Sequence, residues 1–430
     1  MIHITQHNKS DIGKAGDNLK RRVLIVATLL FGIVFSFFIT NEQASAHATL
    51  ETTTPQTDGV VTNHPDKIEL KFNEPVNAKY SGITLYDDEG NKITDLDPET
   101  EGSSATLSFS TDDVGEGTHT VEWHAMSADG HEVGDQFQFS VGEVTASDVD
   151  TSVPFYQKAD FWFGVTRYLS QGALIGLIGL FWMNELVRRR DLPTYQVIPE
   201  QKGFTGILMM LTGVTLVTYL MTLTSDILAD IFAFKMDTIT QFPFILSSLA
   251  IIILLALLMI TNMMRAWYIL VTFGIILALS MSGHAWSQSV PVWSILIRFA
   301  HLVGMTLWIG ALIYLSCYAI KDRAKQTATV RPLLLKVNIT AVAMIIISGV
   351  LMTIDETDIL AIWQNIQTWS ALLIVKIIVT IVMMGLGFYQ TTRALKKQHR
   401  VNKASLFIEL GLGILLIGVG VVMSQINLPK

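Results

Sequence analysis

Apolar residues divide this chain of 430 residues into two unlike parts. They are sparse from about residue 47 to 153 and dense from 161 onward. A chain patterned in this way joins a water-soluble domain to one whose apolar runs have the length a bilayer requires. Charge follows the same division. Residues 47 to 153 hold 22 Asp and Glu against four Lys, at positions 67, 71, 79 and 92. An acidic segment of this kind suits cation capture and argues against nucleic acid as a partner, although most of the acids serve simply to keep the surface solvated. The one cysteine, Cys317, lies in an apolar run, so no disulfide forms within the chain. The soluble domain must therefore be held by its core alone, or by core and metal.

The soluble part is preceded by "LKRRVLIVATLLFGIVFSFFITNEQASA". A basic start (Lys20, Arg21, Arg22), an apolar stretch from Val23 to Thr40 and the small residues Ala44 and Ala46 have the layout of a secretory signal peptide over 1–46. An uncleaved anchor helix is the competing reading of the same stretch. Cleavage after Ala46 would make His47 the first residue of the mature chain.

From 47 to 145 the pattern is that of strands. "KIELKFNEPV" alternates Ile68, Leu70 and Phe72, and "SGITLYDDEGNKIT" reads as two strands about a Glu-Gly-Asn turn. "ATLSFS" and "THTVEWHAM" follow, and "FQFSV" sets Phe137, Phe139 and Val141 on one face. About seven short strands at this spacing predict an antiparallel β-sandwich or barrel.

Near the end of this domain, "SADGHEV" places Asp129 and His131 two residues apart, on one side of an extended backbone, with Gly130 between them. Alone, such a pair fits a turn cap and a surface hydrogen bond as well as it fits a metal. His47 changes this. A free N-terminal histidine offers its α-amine and Nδ1 to one metal as a chelate. With His131 it makes three nitrogens in a T, and Asp129 adds an oxygen. That tetragonal set suits Cu(II). The amine must first lose a proton, from a pKa of about 8, so binding should weaken in acid.

"HATLETTTPQTDGVV", "LKFNEPV" and "SADGHEVGDQFQFSV" resemble the CopC family of copper-binding proteins, over nearly all of 47–143. The resemblance implies an all-β cupredoxin-like (Ig-like) barrel in which His47, Asp129 and His131 carry Cu(II). It also implies that Glu74, in "FNEP", is an acid that orients a ligand imidazole. Some members have a Met-rich Cu(I) site; Met126 is the one methionine here, so none is expected in this domain. His64, His119 and His124 are read as structural or surface residues.

An acidic linker, 146–160, leads to a membrane domain, 161–430, that is all-α and polytopic with about eight transmembrane helices. The spans are expected at about 161–187, 203–225, 243–263, 267–283, 294–320, 333–354, 369–392 and 405–426. Arg and Lys concentrate in alternate connections: Arg188 to Arg190 and Lys202; Arg265; Lys321 to Arg331; Arg393 to Lys403. The other connections hold Lys235 and little else that is basic. This bias places the N-terminal domain and the C-terminus outside a cell (plasma) membrane.

Ionisable groups inside a bilayer require a reason. "SILIRFAHLVGMTLWIGALI" spaces Arg298, His301, Met305 and Trp308 along one helical stripe, and "LSMSGHAWSQ" puts Met281 and His284 at an outer mouth. His284, His301, Met281, Met305 and Arg298 form the candidate transport path. Arg167, Lys376 and Glu409 are further charges, and Glu409 is a carboxylate with which Arg298 or Lys376 could pair. "GHA" and "RFAHLVGMTLWIGAL" are similar to the CopD family, over about 160–425. The whole chain resembles CopC–CopD fusions of the YcnJ type, implicated in copper uptake and homeostasis. The further C-terminal extracellular domain that some of them carry is expected to be lacking.

The reading is a non-enzymatic copper protein that captures Cu(II) outside the cell and moves copper, Cu(I) being an option in the membrane domain. Its partners are the copper ion, the lipid bilayer and an extracellular copper chaperone or reductase, with no nucleic acid. Two other readings stay open: a copper-brace oxidoreductase or haem-linked electron-transfer protein, and sequestration or sensing without transport.

Overall fold

The computed structural model describes residues 48–111, 114–127, 132–145, 154–195, 197–286, 288, 290–321, 327–357, 359–364, 368–390, 392 and 401–426. They form two compact units. One joins residues 44–161 to 219–243, and the other takes most of the rest.

The first unit is built on seven strands: β1 (Leu50–Thr54), β2 (Gly59–Val61), β3 (Lys67–Tyr86), β4 (Lys92–Leu96), β5 (Ser103–Ser110), β6 (Gly117–Ser127) and β7 (Glu132–Val141). Their order is β1-β3-β6-β7-β2, with β4 and β5 also on β3. The alternation read in the sequence is the burial pattern. Ile68, Leu70 and Phe72 are at most 1% exposed, and Phe137, Phe139 and Val141 face the same core. Phe72 meets Trp123 edge to face, with 5.4 Å between centroids.

Two features differ from expectation. The stretches read as two strands, "KIELKFNEPV" and "SGITLY", are one strand of 20 residues. Pro75 lies inside it, where it cannot donate to a ladder; the pairing with β5 shifts across it, between Lys71 and Val76, and the pairing with β6 shifts beyond it, between Asn77 and Gly82. The strand continues because it changes partners there rather than ending. The sheet is also not wholly antiparallel: β2 pairs parallel with β7. The long path through β3 to β6 supplies the crossover that a parallel pair needs.

Among the described residues this unit also holds two helices, α3 (Ser225–Phe232) and α4 (Met236–Ile239), from the connection that contains Lys235. Asp230 on α3 is 7% exposed. Its carboxylate pairs with Lys79 of β3 and, at 2.6 Å, with Lys235, and it accepts from the Tyr80 hydroxyl at 3.0 Å.

The second unit is helical: α1 (Ala159–Arg188, mostly within it), α2 (Lys202–Leu220), α5 (Pro243–Leu258), α6 (Arg265–Ser280), α7 (Pro291–Lys321), α8 (Thr327–Glu356), α9 (Ile359–Gln364), α10 (Thr368–Tyr389) and α11 (Lys403–Met423). Among the described residues, five segments are long and apolar enough to cross a membrane, namely α2, α7, Val330–Glu356 of α8, Trp369–Tyr389 of α10, and α11; α5 and α6 are shorter apolar helices. Helices α1 and α7 touch backbone to backbone. A Cβ on Gly179 would lie 2.3 Å from the Thr306 carbonyl oxygen, and one on Gly310 would lie 2.3 Å from Gly179. Small residues at such a crossing let two helices gain contact where lipid gives no hydrophobic drive.

Candidate metal centre

His47, Asp129 and His131 lie outside the described residues. Glu74 is described: it is half-buried on β3. The register around it is informative. Strand β5 keeps one edge of β3 on both sides of the Pro75 shift, pairing with 67–71 and again with 76–77. The other edge is shared by β1, which pairs with 69–72, and β6, which pairs from 76 onward. Only Asn73, Glu74 and Pro75 remain between them. The N-terminal end of β1 therefore lies at one side of this gap and the C-terminal end of β6 at the other.

The first of these ends is held firmly. Ala48 is 2% exposed in the core, the Thr49 amide donates to Asn73 Oδ1 at 2.7 Å, and the Asn73 amide donates to the Thr49 carbonyl at 3.0 Å. At the other, Ser127 pairs with Val76, and Met126 pairs with Glu132 at the start of β7. In sequence, residue 47 precedes the first end, and 128–131 join Ser127 to Glu132. Among the described residues no group of three His, Cys, Asp or Glu is placed to hold a metal.

The other histidines of this domain take separate roles. His119 is 4% exposed, packs on Phe139 and donates from Nε2 to the Gly115 carbonyl at 2.9 Å. His124 rests on Gly82, where a Cβ would come within 2.9 Å of its Cε1. Burial pushes the His124 imidazole down, against the pull of Glu122, Asp95, Asp97 and Asp226. His64 is exposed.

In the helical unit, α7 is unbroken through Arg298, His301, Met305 and Trp308, so the stripe exists as read. His301 and Trp308 are each 5% exposed; Arg298 and Met305 are half-buried. His301 Nδ1 lies 3.0 Å from Ser348 Oγ on α8. Met281 caps α6, and its carbonyl accepts from the Trp286 indole. His284 begins a 3-10 turn, His284–Trp286, and its side chain is outside the description. Next to it Gly283, at φ +84°, backs onto the Arg298 guanidinium, which a Cβ there would approach to 3.0 Å.

The carboxylate facing Arg298 and Lys376 is Glu356, the last residue of α8, and not Glu409. Glu409, 2% exposed, accepts a hydrogen bond from Trp308 instead. Ser348 and Glu356 were missed in the sequence because both lie at ordinary places in an apolar run. The signal available for Ser348 was a small polar residue beside a glycine in "IISGVL".

Residues 50–142 match the CopC domain family. Copper transport protein CutJ of Bacillus subtilis (strain 168) is 25% identical over 345 residues, 71% of this chain. The chain spans 60% of CutJ's own length. Protein YobA of Escherichia coli (strain K12) is 32% identical over 98 residues, 22% of this chain and 79% of YobA. Copper resistance protein C of Escherichia coli is 26% identical over 29% of this chain and 98% of its own. Among solved structures, CopC from Methylosinus trichosporium OB3b is 24% identical over 22% of this chain and 93% of that one, with a TM-score of 0.21. PcoC, a methionine-rich copper resistance protein from Escherichia coli, is 27% identical over 22% and 99%, with a TM-score of 0.20. By its matched N-terminal domain, and by an identity with YobA that extends over most of that protein, the chain belongs to the CopC family of copper resistance and transport proteins.

Proposed function

We propose that this protein captures Cu(II) outside the cell and passes copper inward through its helical region. The capture site consists of the α-amine and imidazole of His47, freed by removal of 1–46, with His131 and Asp129 completing a tetragonal set. Glu74 orients an imidazole of that set. The observation that carries this reading is the three-residue gap on β3. Glu74 stands at its centre, with the N-terminal end of β1 on one side and the C-terminal end of β6 on the other. An acid between two strand ends from which the chain runs on, in sequence, to the three proposed ligands is suitably sited to fix a tautomer.

The domain limits of 47–145 and 161–430, the multi-pass topology with both flanks outside, and the path through Met281, His284, Arg298, His301 and Met305 belong to the same proposal. Its support is the run of apolar helices and the likeness to CutJ over 71% of the chain.

Cu(II) titration of the protein purified with His47 at its N-terminus tests the capture site. One extra residue before His47 should weaken binding by orders of magnitude, because it turns the amine into an amide. Equal affinity for the two forms sinks the chelate. For transport, reconstituted vesicles should accumulate copper, and a histidine-to-alanine change at 301 should slow them. Vesicles that bind copper outside without accumulating it would favour sequestration.

A further inference from the structure

We infer that Ser348 fixes His301 in the tautomer protonated at Nδ1, leaving Nε2 as the ligand atom for a soft monovalent cation inside the helical unit. The identity of the cargo, Cu(I), rests on the transport reading above; the tautomer and the ligand atom do not.

A serine hydroxyl has one hydrogen to donate. The Ser348 hydroxyl donates to the Met344 carbonyl in the preceding turn of α8, with the Ile345 carbonyl 3.3 Å away as a second acceptor. What Oγ has left for His301 is a lone pair. At 3.0 Å, His301 Nδ1 must therefore be the donor. The Ile345 backbone also faces the ring as a hydrogen-bonding partner, which again calls for a donor. A ring carrying both protons would be a third cation beside Arg298 and Lys376, in a place only 5% exposed. The ring is neutral, its one proton is on Nδ1, and Nε2 carries a bare lone pair.

Nε2 is buried and has no hydrogen-bond partner among the described residues. A buried acceptor left unmet is costly, and native proteins rarely leave one without a use. Imidazole is a borderline-soft metal ligand, and a hydrogen bond at its other nitrogen is the usual way a protein aims one.

The charges whose fields reach the His301 ring are Lys376 and Arg298, both positive; Glu356 faces those two cations, with Asp355 beside it. Each repulsion is twice as large for a dication as for a monocation at the same point. Nitrogen and thioether ligands in low dielectric favour a soft monocation. Met305, four residues on along α7, supplies a thioether on the same face. The contact is made possible by Gly304, where α7 comes so close to α8 that a Cβ would stand 3.1 Å from both the Ala341 carbonyl oxygen and Met344 Cβ.

The test uses the full chain in lipid nanodiscs with 15N-labelled histidine, and Ag(I) as a redox-inert probe. The His301 resonances are those lost in His301→Ala. They should show an unprotonated Nε2 that shifts when Ag(I) is added. Ser348→Ala should weaken Ag(I) binding at His301 about 10-fold or more and let the second tautomer appear. Ser348→Thr, which keeps a hydroxyl able to donate to the same carbonyl, should restore both. A wild-type ring protonated at Nε2, or a His301 signal that Ag(I) leaves unmoved, overturns the inference. If the tautomer and the Ag(I) shift are found but vesicles accumulate no copper, the inference stands and the transport reading fails.

Discussion

The two compact units bury their polar groups by different means. In the β unit, Asp230 meets Lys79 and Lys235, whose side chains stay 55% and 56% exposed while their ammonium groups reach a carboxylate that is 10% exposed. In the helical unit, Glu409 has one indole donor and no facing cation among the described residues. Hydroxyls there return their protons to their own helix: Thr212 to Leu208, Thr272 to Tyr268, Thr306 to Leu302, Ser316 to Leu312. A unit bathed in water can pair charges over long sequence distances, because the long lysine stems keep their heads partly hydrated. In a unit meant for lipid such hydroxyls close their hydrogen bonds within the helix, while Trp182 and Tyr314 reach across to Thr272 and the Pro193 carbonyl. His301 departs from that pattern: its Nδ1 meets a hydroxyl on another helix, and its Nε2 has no partner among the described residues.

The largest expected effect falls on the helical side of this contrast. Gly310→Leu forces a side chain into the Gly179 backbone, with nothing flexible there to yield. Helices α1 and α7 should separate and the protein should fail to elute as a single species in detergent. The β unit should still fold, as read from protection of its amides against hydrogen exchange. A monodisperse variant with normal copper uptake would mean that the crossing is not needed.

The matching change in the sheet is smaller and stays local. Phe72→Ala removes a ring that is 1% exposed and lies against Trp123. It should cost about 3–5 kcal/mol, read by denaturant unfolding followed through tryptophan fluorescence. A loss below about 1 kcal/mol would show that the site collapses to fill the cavity.

Asp230→Asn comes next and tests the long-range pairing. The two ammonium groups hold the Asp230 carboxyl well below the usual carboxylate range. Its stabilising contribution is therefore present above the unfolded value of about 3.9 and is lost as pH falls below it. Hydrogen bonding to Asp230 raises Lys79, whose contribution is present below about 10.4 and lost as pH rises beyond that. Exchange of the α3 and α4 amides should quicken in the variant at neutral pH, and the wild type should approach the variant below about pH 4. Equal protection in both at neutral pH would mean that α3 docks without the ion pairs.

These contrasts also explain what could be read from the sequence. Alternation at Ile68, Leu70 and Phe72 was legible because a strand's two faces repeat every two residues, and the apolar helices because a bilayer demands unbroken runs. The partner change within β3 was not legible, since Pro75 in a strand reads as a stop unless the new neighbour is known. Asp230 with Lys79 and Tyr80, and His301 with Ser348, are pairs about 150 and 47 residues apart. No local period encodes them. Glu356 rather than Glu409 faces Arg298 because helix order in space, not distance along the chain, decides which carboxylate is near. The likeness to CopC brought Glu74 to notice; only the strand register shows that β1 and β6 stop on either side of it.

The smallest predicted effect again separates wet burial from dry. His124 is a half-buried imidazole on the Gly82 backbone, pushed down by loss of hydration while Glu122, Asp95, Asp97 and Asp226 pull it back. A depressed folded pKa means that the folded protein refuses a proton which the unfolded chain accepts at about 6.5. Stability should therefore decline as pH falls through about 6.5 toward the folded value, and the four carboxylates keep that slope shallow. Replacing His124 with Gln, which does not titrate, should flatten it. Thermal unfolding of both proteins, compared at pH about 7.5 and about 5.5, reads the difference, with the acid shift smaller in the variant. If the variant loses as much stability in acid as the wild type, the carboxylates cancel the desolvation entirely. The β unit would then tolerate a buried histidine for the same reason it tolerates Asp230: compensating charge lies within reach.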